Sequence, residues 1–428
     1  MKQLNASKPK AHSQRSALVA GTIGNLIEWY DFYVYAAFSL YFAETFFPNY
    51  DPLAQTLSTS GIFALGFFMR PIGALIFGRI GDRAGRGRAL TLSVLLMCAG
   101  SLLIALTPGY AAIGIAAPCI LLLARMLQGV SLGGEYGSSA AYLAEIAPKN
   151  ARAFYSSFQT VTMLAGQLLA LGVLIILQNF FLDLSELKNW GWRIPFALGG
   201  LLAVAAFLLR RGLVEPKAFE KTAKDSRQGS LSLLLRHKRE TATVIGLTLG
   251  GTIAFYTYTT YMQKFLKLST GLNNKETSWI LAGSLLFAIV LQPLYGALSD
   301  HVGRRSMLIS FGALGAFLTW PLLKAIEKAT SPGEAFILIC CGWLIISFYT
   351  SINAVVKAEL FPATIRVTGV ALPYAVTVSF FGGSAEYVAL SFKTHGHEDW
   401  FYIYVSLAIL ISLCVFVAMT DTKAKNLD

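Results

Sequence analysis

Gly78-Arg-Ile-Gly-Asp82-Arg-Ala-Gly85-Arg86 and Gly296-Ala-Leu-Ser-Asp300-His-Val-Gly303-Arg304 carry glycine, acid, glycine and arginine at the same spacing. A second pair accompanies them: Ala144-Glu145, Pro148 and Arg152 recur as Ala358-Glu359, Pro362 and Arg366. Two matched segments in the same order mark an internal duplication. Outward from both loops the chain turns apolar in long blocks, such as Ala89 to Leu106 and Ile194 to Leu209, near the ~20 residues a helix needs to cross a bilayer. Over all 428 residues, 55% are hydrophobic, 14% are charged and the mean hydropathy is +0.57. That balance belongs to a chain dissolved in lipid rather than water.

Hydropathy and loop charge place twelve spans. The first six are Ala17 to Phe47, Ala54 to Gly78, Ala89 to Leu106, Ala111 to Ala144, Arg152 to Phe180 and Ile194 to Leu209. The second six are Thr241 to Phe265, Thr277 to Ser299, Ser306 to Ile326, Pro332 to Val356, Ile365 to Ser391 and Trp400 to Met419. The expected organisation is a tail over 1–16, a six-helix half over 17–211, a polar loop over 212–240, a second half over 241–420 and a tail over 421–428. Each repeated loop falls between the second and third span of its half. The fold class expected is therefore all-α and integral to the membrane, with two pseudo-symmetric halves. Carriers of this build hold substrate near the midplane between the halves.

The net charge of +12 raises the question of a nucleic-acid partner. Its placement argues against one. Lys2, Lys8, Lys10 and Arg15 precede the first span, Arg79, Arg83, Arg86 and Arg88 follow the second, and 210–239 is rich in Arg and Lys, whereas the alternate loops carry few or acidic charges. This is the positive-inside pattern, which puts both termini and the central loop in the cytoplasm. The first block is too long for a signal peptide and contains Glu28 and Asp31. Cys98, Cys119, Cys340, Cys341 and Cys414 lie in or beside apolar blocks without metal-ligand spacing, so no metal site is expected. Gly129-Val-Ser-Leu-Gly133 matches a nucleophile pattern but lies inside an apolar helix, and His395 and His397 lack metalloprotease spacing. No catalytic residues are expected. A metabolite sensor would need a signalling module, for which the central loop is too short.

Ionisable groups within spans are functional candidates because burying them in lipid is costly. Glu28 and Asp31, three apart, share a face of the first span and are candidate proton carriers. Arg70 lies well inside the second span, able to hold a carboxylate through two parallel hydrogen bonds or to pair with Glu28 or Asp31. Arg125 and Glu135 on the fourth span are too far apart to pair, and Gly129, Gly133, Gly134 and Gly137 near them suit close helix packing. Arg125 is a second candidate for substrate, Glu135 a further one for protons. Tyr30, Tyr258, Tyr261 and Gln263 offer hydrogen bonds to a cavity. Lys264, near the outer end of its span, either joins them or snorkels to the interface. Glu386 is another proton-site candidate. Asp82, Arg86, Asp300 and Arg304 suit a gate in which the acids accept from helix N-termini and arginines in one state and release them in another.

The paired loops resemble the signature of the major facilitator superfamily, G-x-x-x-D-R-x-G-R-[KR]-[KR]. More narrowly, Gly24-Asn-Leu-Ile-Glu28-Trp-Tyr30-Asp31-Phe-Tyr33, Phe68-Met-Arg70-Pro-Ile-Gly73 and Arg125-Met-Leu-Gln-Gly-Val-Ser-Leu-Gly-Gly-Glu135-Tyr-Gly137 resemble the metabolite:proton symporter family. The likeness runs over nearly the whole chain and is strongest to members that carry 2-oxoglutarate. It implies twelve helices in two halves and proton-coupled symport of 2-oxoglutarate or a related dicarboxylate into a bacterial cell across its inner membrane. It also implies a monomer without obligate protein partner and without a cofactor beyond the coupling proton. Relatives for proline and betaine, citrate or shikimate keep other substrates open. The resemblance carries Asp82 and Arg86 over as gate residues and Arg193 as a transport residue. The chain departs from the family loop at Gly87, where a basic residue is expected, and at Ala84; Arg88 partly restores the charge.

Overall fold

A computed structural model describes residues 11–48, 51–84, 86–210, 234–362 and 365–423; the side chains of 11–23, 78–79, 81–91, 203 and 205–210 also lie outside the described set. The ends of both tails and most of the central loop therefore fall outside it, as do the side chains of Asp82 and Arg86. Among the described residues, helices stand at each of the twelve expected spans. Those of the first half are α1 (Ala11–Phe46), α2 (Pro52–Phe77), α3 (Arg86–Leu106), α4 (Ala116–Ile146), α5 (Lys149–Phe181) and α6 (Arg193–Arg210). In the second half α7 begins as Lys238–Tyr256 and continues through a π-helical turn, Thr257–Tyr261, to Thr270. It is followed by α8 (Asn274–Val302), α9 (Arg304–Glu327), α10 (Pro332–Leu360), α11 (Arg366–Thr394) and α12 (Glu398–Ala418). Eight of these, α2, α4, α5 and α8 to α12, are long and apolar enough by themselves to cross a bilayer.

The outer surface fits lipid. Phe317 is 74% exposed, and Leu286 and Val290 are exposed on α8. Trp190, Trp279 and Trp400 are exposed at helix starts opposite the duplicated loops, where indole rings anchor at a membrane interface. Inside, α5 packs along α8 and α2 and α4 along α11, so the halves meet over their full depth.

Breaks in the helices create the interior. In α2, Pro71 has no N–H to offer the Phe67 carbonyl, and the helix interrupts at Met69. The freed Phe67 carbonyl accepts instead from Ser379 Oγ of α11 at 2.6 Å. In α4 the helix interrupts at Gly133 and Gly134, and α10 interrupts at Ser351 and Ile352. The glycines of α4 permit contact with α2 at backbone distance: a Cβ on Gly129 would overlap the Gly66 carbonyl oxygen, and one on Gly133 the Arg70 carbonyl oxygen. Gly129→Leu therefore forces α2 and α4 apart, and we expect a loss of about 2–3 kcal/mol, read as a lowered melting temperature of the detergent-purified protein.

Candidate functional site

Between the halves lie two small cavities of about 20 Å³ each, separated by the Tyr374 ring, which lines both. Asn25, Glu28, Trp29, Arg70 and Tyr136 line the first; Thr160, Thr252, Tyr256, Tyr349 and Asn353 line the second. Each admits about one water and no organic solute. A wider cleft of about 550 Å³, beside Tyr41, Gln178, Lys267 and Trp279, opens at the end opposite the gate loops.

Arg70 is delivered to the first cavity by the break in α2. It is 4% exposed, and its guanidinium carbon lies 3.9 Å from the Phe67 ring centroid and 4.7 Å from that of Phe32. Nη1 donates to the Tyr256 hydroxyl at 3.4 Å, while Nε and Nη2 have no partner among the described residues. The cation is held by ring faces, which attract it without consuming its donors. Those remaining donors suit a carboxylate. Arg70 thus pairs with neither Glu28 nor Asp31.

The two carboxylates of α1 serve different surroundings. Glu28 faces the first cavity. Asp31 is wholly buried and turned into the first half, where it accepts from Ser101 of α3 and, at 2.9 Å, from Gln128 Nε2 of α4. Gln128 Oε1 in turn accepts from Arg125 Nη1 at 2.6 Å, and Arg125 lies over the Phe32 and Tyr35 rings at 4.5 and 4.4 Å. Gln128 therefore relays between an acid and a guanidinium that line neither cavity. Glu135 starts the second segment of α4 and is buried.

Lys264 does not snorkel. It is 1% exposed and forms an ion pair with Glu386, which also accepts from Ser60 of α2. Snorkelling fails because α11 covers this part of α7, leaving the ammonium no route to water. Lys264 and Glu386 thus join a cation of α7 to an acid of α11, and Ser60 ties both to the opposite half. At the second copy of the duplicated loop, Asp300 accepts from the backbone N–H groups of Ala153 and Phe154, both at 3.0 Å, and from Arg304 Nη1 at 2.9 Å. The two N–H groups belong to the first turn of α5, in the other half, where backbone donors lack helical acceptors and the dipole favours an anion. Arg304 Nη2 also reaches Glu359 at 3.4 Å, and Arg366 pairs with Glu145 across the halves at 2.7 Å. Gly303 closes α8 at φ +97°, a conformation natural to glycine, and a Cβ there would overlap the Asp421 carboxylate that accepts from Arg304 and Arg305 N–H.

Other candidates lie apart from the cavities. Tyr30 donates to the Pro195 carbonyl of α6 at 3.1 Å. Arg193, at the start of α6, donates to the carbonyls of Thr107, just past the end of α3, and Asn189, and stacks on Trp192 at 4.1 Å. The π-helical turn of α7 rotates Tyr258 onto Trp343 and Gly342 of α10 and points Tyr261 to Glu398, while buried Gln263 lines neither cavity. Thr252 and Tyr256 face the cavity instead. The sequence reading also passed over Tyr136 and Tyr374, stacked at 3.6 Å, and Lys357 beside them. Lys357 lay one residue beyond the expected end of the tenth span; α10 runs on to Leu360 and buries it completely.

The sugar (and other) transporter family model matches residues 17–219 and again 211–428, and the chain belongs to that family. It is 50% identical over 411 residues, 96% of this chain and 94% of the relative, to the alpha-ketoglutarate permease of Escherichia coli (strain K12). It is 36% identical over 376 residues, 86% of this chain and 83% of the relative, to the citrate-proton symporter of Klebsiella pneumoniae. The fold is that of the major facilitator superfamily: the xylose transporter XylE from E. coli, in a partially occluded inward open conformation, superposes with a TM-score of 0.74 at 18% identity, covering 97% of this chain and 100% of that one.

Removing one member of a buried ion pair strands the other charge, at a cost of about 3–5 kcal/mol. Lys264→Met is expected to show that loss in unfolding titrations in mixed detergent, and Lys264→Met with Glu386→Gln to recover most of it.

Proposed function

We propose that the chain is a secondary active transporter that brings 2-oxoglutarate, or a closely related dicarboxylate, into a bacterial cell together with protons by alternating access. The observation that carries this reading is Arg70, with unused donors turned to an occluded cavity between two halves, in a chain half identical to an α-ketoglutarate permease. A guanidinium in that setting selects a carboxylate over a neutral sugar. The positive-inside pattern supports a location in the inner membrane with both termini and the 212–240 loop cytoplasmic, dividing halves at 17–211 and 241–420. A complete cavity within one chain supports a functional monomer. A second reading, a zwitterion such as a betaine, is favoured by one feature only: Glu28 lines the cavity with Arg70 and would meet its cation.

In this scheme Asp31 is the first choice for the coupling proton, because a buried carboxylate linked through Gln128 to Arg125 ties a change of charge to the packing of α1, α3 and α4. Glu28, Glu135 and Glu386 are the further choices. Asp300 and Arg304, with Asp82 and Arg86 as their counterparts by repeat, form the cytoplasmic gate.

Proteoliposomes holding the protein are expected to accumulate radiolabelled 2-oxoglutarate only under an inward proton gradient, with excess unlabelled proline betaine or citrate leaving uptake unchanged. Absence of uptake by folded protein rejects this substrate. Asp31→Asn is expected to retain exchange of labelled for unlabelled substrate while losing gradient-driven accumulation; equal loss of both removes Asp31 from the coupling role. Asp300→Ala, which deletes the acceptor for both α5 N–H groups, is expected to lower accumulation about tenfold, the order of one charged hydrogen bond's worth of bias. Unchanged accumulation contradicts the gate.

A further inference from the structure

Lys357 is a wholly buried lysine that no part of this scheme employs. Its Nζ donates to the Tyr136 hydroxyl at 3.2 Å and to Asn353 Oδ1 at 3.1 Å, and it lies 4.2 Å from the centroid of the Tyr374 ring. No carboxylate among the described residues comes within ion-pair distance of it. Neutral partners and ring faces alone are an unusual setting for an ammonium, since burying a charge without a counterion is costly. Its neighbours locate it: Tyr136 lines the first cavity, Asn353 and Tyr349 the second, and Tyr374 both. Lys357 therefore stands beside the partition between the two cavities, and Arg70, which lines the first and donates to Tyr256 of the second, approaches the same partition from the first half. Among the described residues Tyr374 is the one lining both cavities, so a displaced ring would join them beside a guanidinium of the first half and the Lys357 amine of the second.

We propose that Lys357 binds the second carboxylate of a dicarboxylate whose first carboxylate is held by Arg70, so that the substrate itself bridges the two halves and the pair of cations sets the preference for diacids over monoacids. This rests on the organic-acid reading above and specifies how the site counts carboxylates. The geometry suits it in three respects. The two cations come from opposite halves, so a ligand touching both is sensitive to their relative position. The Tyr136 and Tyr374 rings, stacked in contact at 3.6 Å, stand where a short carbon chain reaching both groups would pass, and would part to admit it. Arg70 is a planar fork and Lys357 a point charge with rotatable donors, two different ways of meeting two chemically different carboxylates.

The test is calorimetric binding to the purified full-length protein of 2-oxoglutarate and of 2-oxopentanoate, which has the same carbon chain without the second carboxylate. Wild type is expected to prefer the diacid at least about 30-fold. Lys357→Gln is expected to lower diacid affinity to that of the monoacid while leaving monoacid affinity within threefold, and Lys357→Arg to keep the preference. Asn353→Asp supplies the missing counterion in place and is expected to abolish the preference in a protein whose fold the new ion pair supports, which decides the matter if Lys357→Gln does not fold. A wild type that binds both acids equally, or a folded Lys357→Gln or Asn353→Asp protein with the wild-type preference, overturns the inference and leaves the 2-oxoglutarate reading standing. A wild type that binds neither 2-oxoglutarate nor four- or six-carbon diacids overturns both.

Discussion

In hydrocarbon every backbone carbonyl and every charge must find its partner within the protein, and in this molecule that requirement joins the halves as well as holding each together. The contacts between halves concentrate where helices are irregular. Ser379 Oγ occupies the Phe67 carbonyl freed by Pro71, the Tyr33 hydroxyl donates to the carbonyl of Thr259 in the π-helical turn of α7, and Thr160 donates to the carbonyl of Thr350 where α10 breaks. A carbonyl released from its own helix is free to serve the other half. The breaks are thus both the flexible points of the helices and the points at which the halves grip each other.

Much of this was legible in the sequence because lipid imposes coarse rules. Span number, the duplicated loops and the exceptional character of Arg70 all follow from hydropathy and charge placement. Side-chain direction did not. Reading α7 as a regular helix put Tyr258 and Tyr261 in the cavity, and the π-helical turn sends them to α10 and to Glu398, leaving Tyr256 in their place. Lys264 looked free to reach water because its partner, Glu386, lies four spans later in the chain. Arg193 carried a family likeness but its donors are spent on helix-end carbonyls. The duplicated loop is described with its side chains in one copy only, those of Asp300 and Arg304, because the side chains of Asp82 and Arg86 lie outside the described set.

The internal repeat holds a signal that was available and unused. Superposing the repeated segments sets Arg70 against Ala288 and Lys357 against Leu143. Gate residues are matched across the halves, whereas the two cavity cations each face an apolar counterpart. A symmetric scaffold needs symmetric hinges, but a ligand with distinct ends needs an asymmetric site, so charges that violate the repeat are the places to look for recognition.

The contact between Asp300 and the start of α5 has a consequence for how such proteins diverge. Only one end of it is written in a side chain; the other is two peptide N–H groups, which Ala153 and Phe154 share with any residue except proline. Drift at those two positions leaves the bond intact, so no compensating change at Asp300 is ever demanded. A method that finds contacts by correlated substitution is blind to this one, and the lone acid will look like an isolated invariant beside a freely varying helix start.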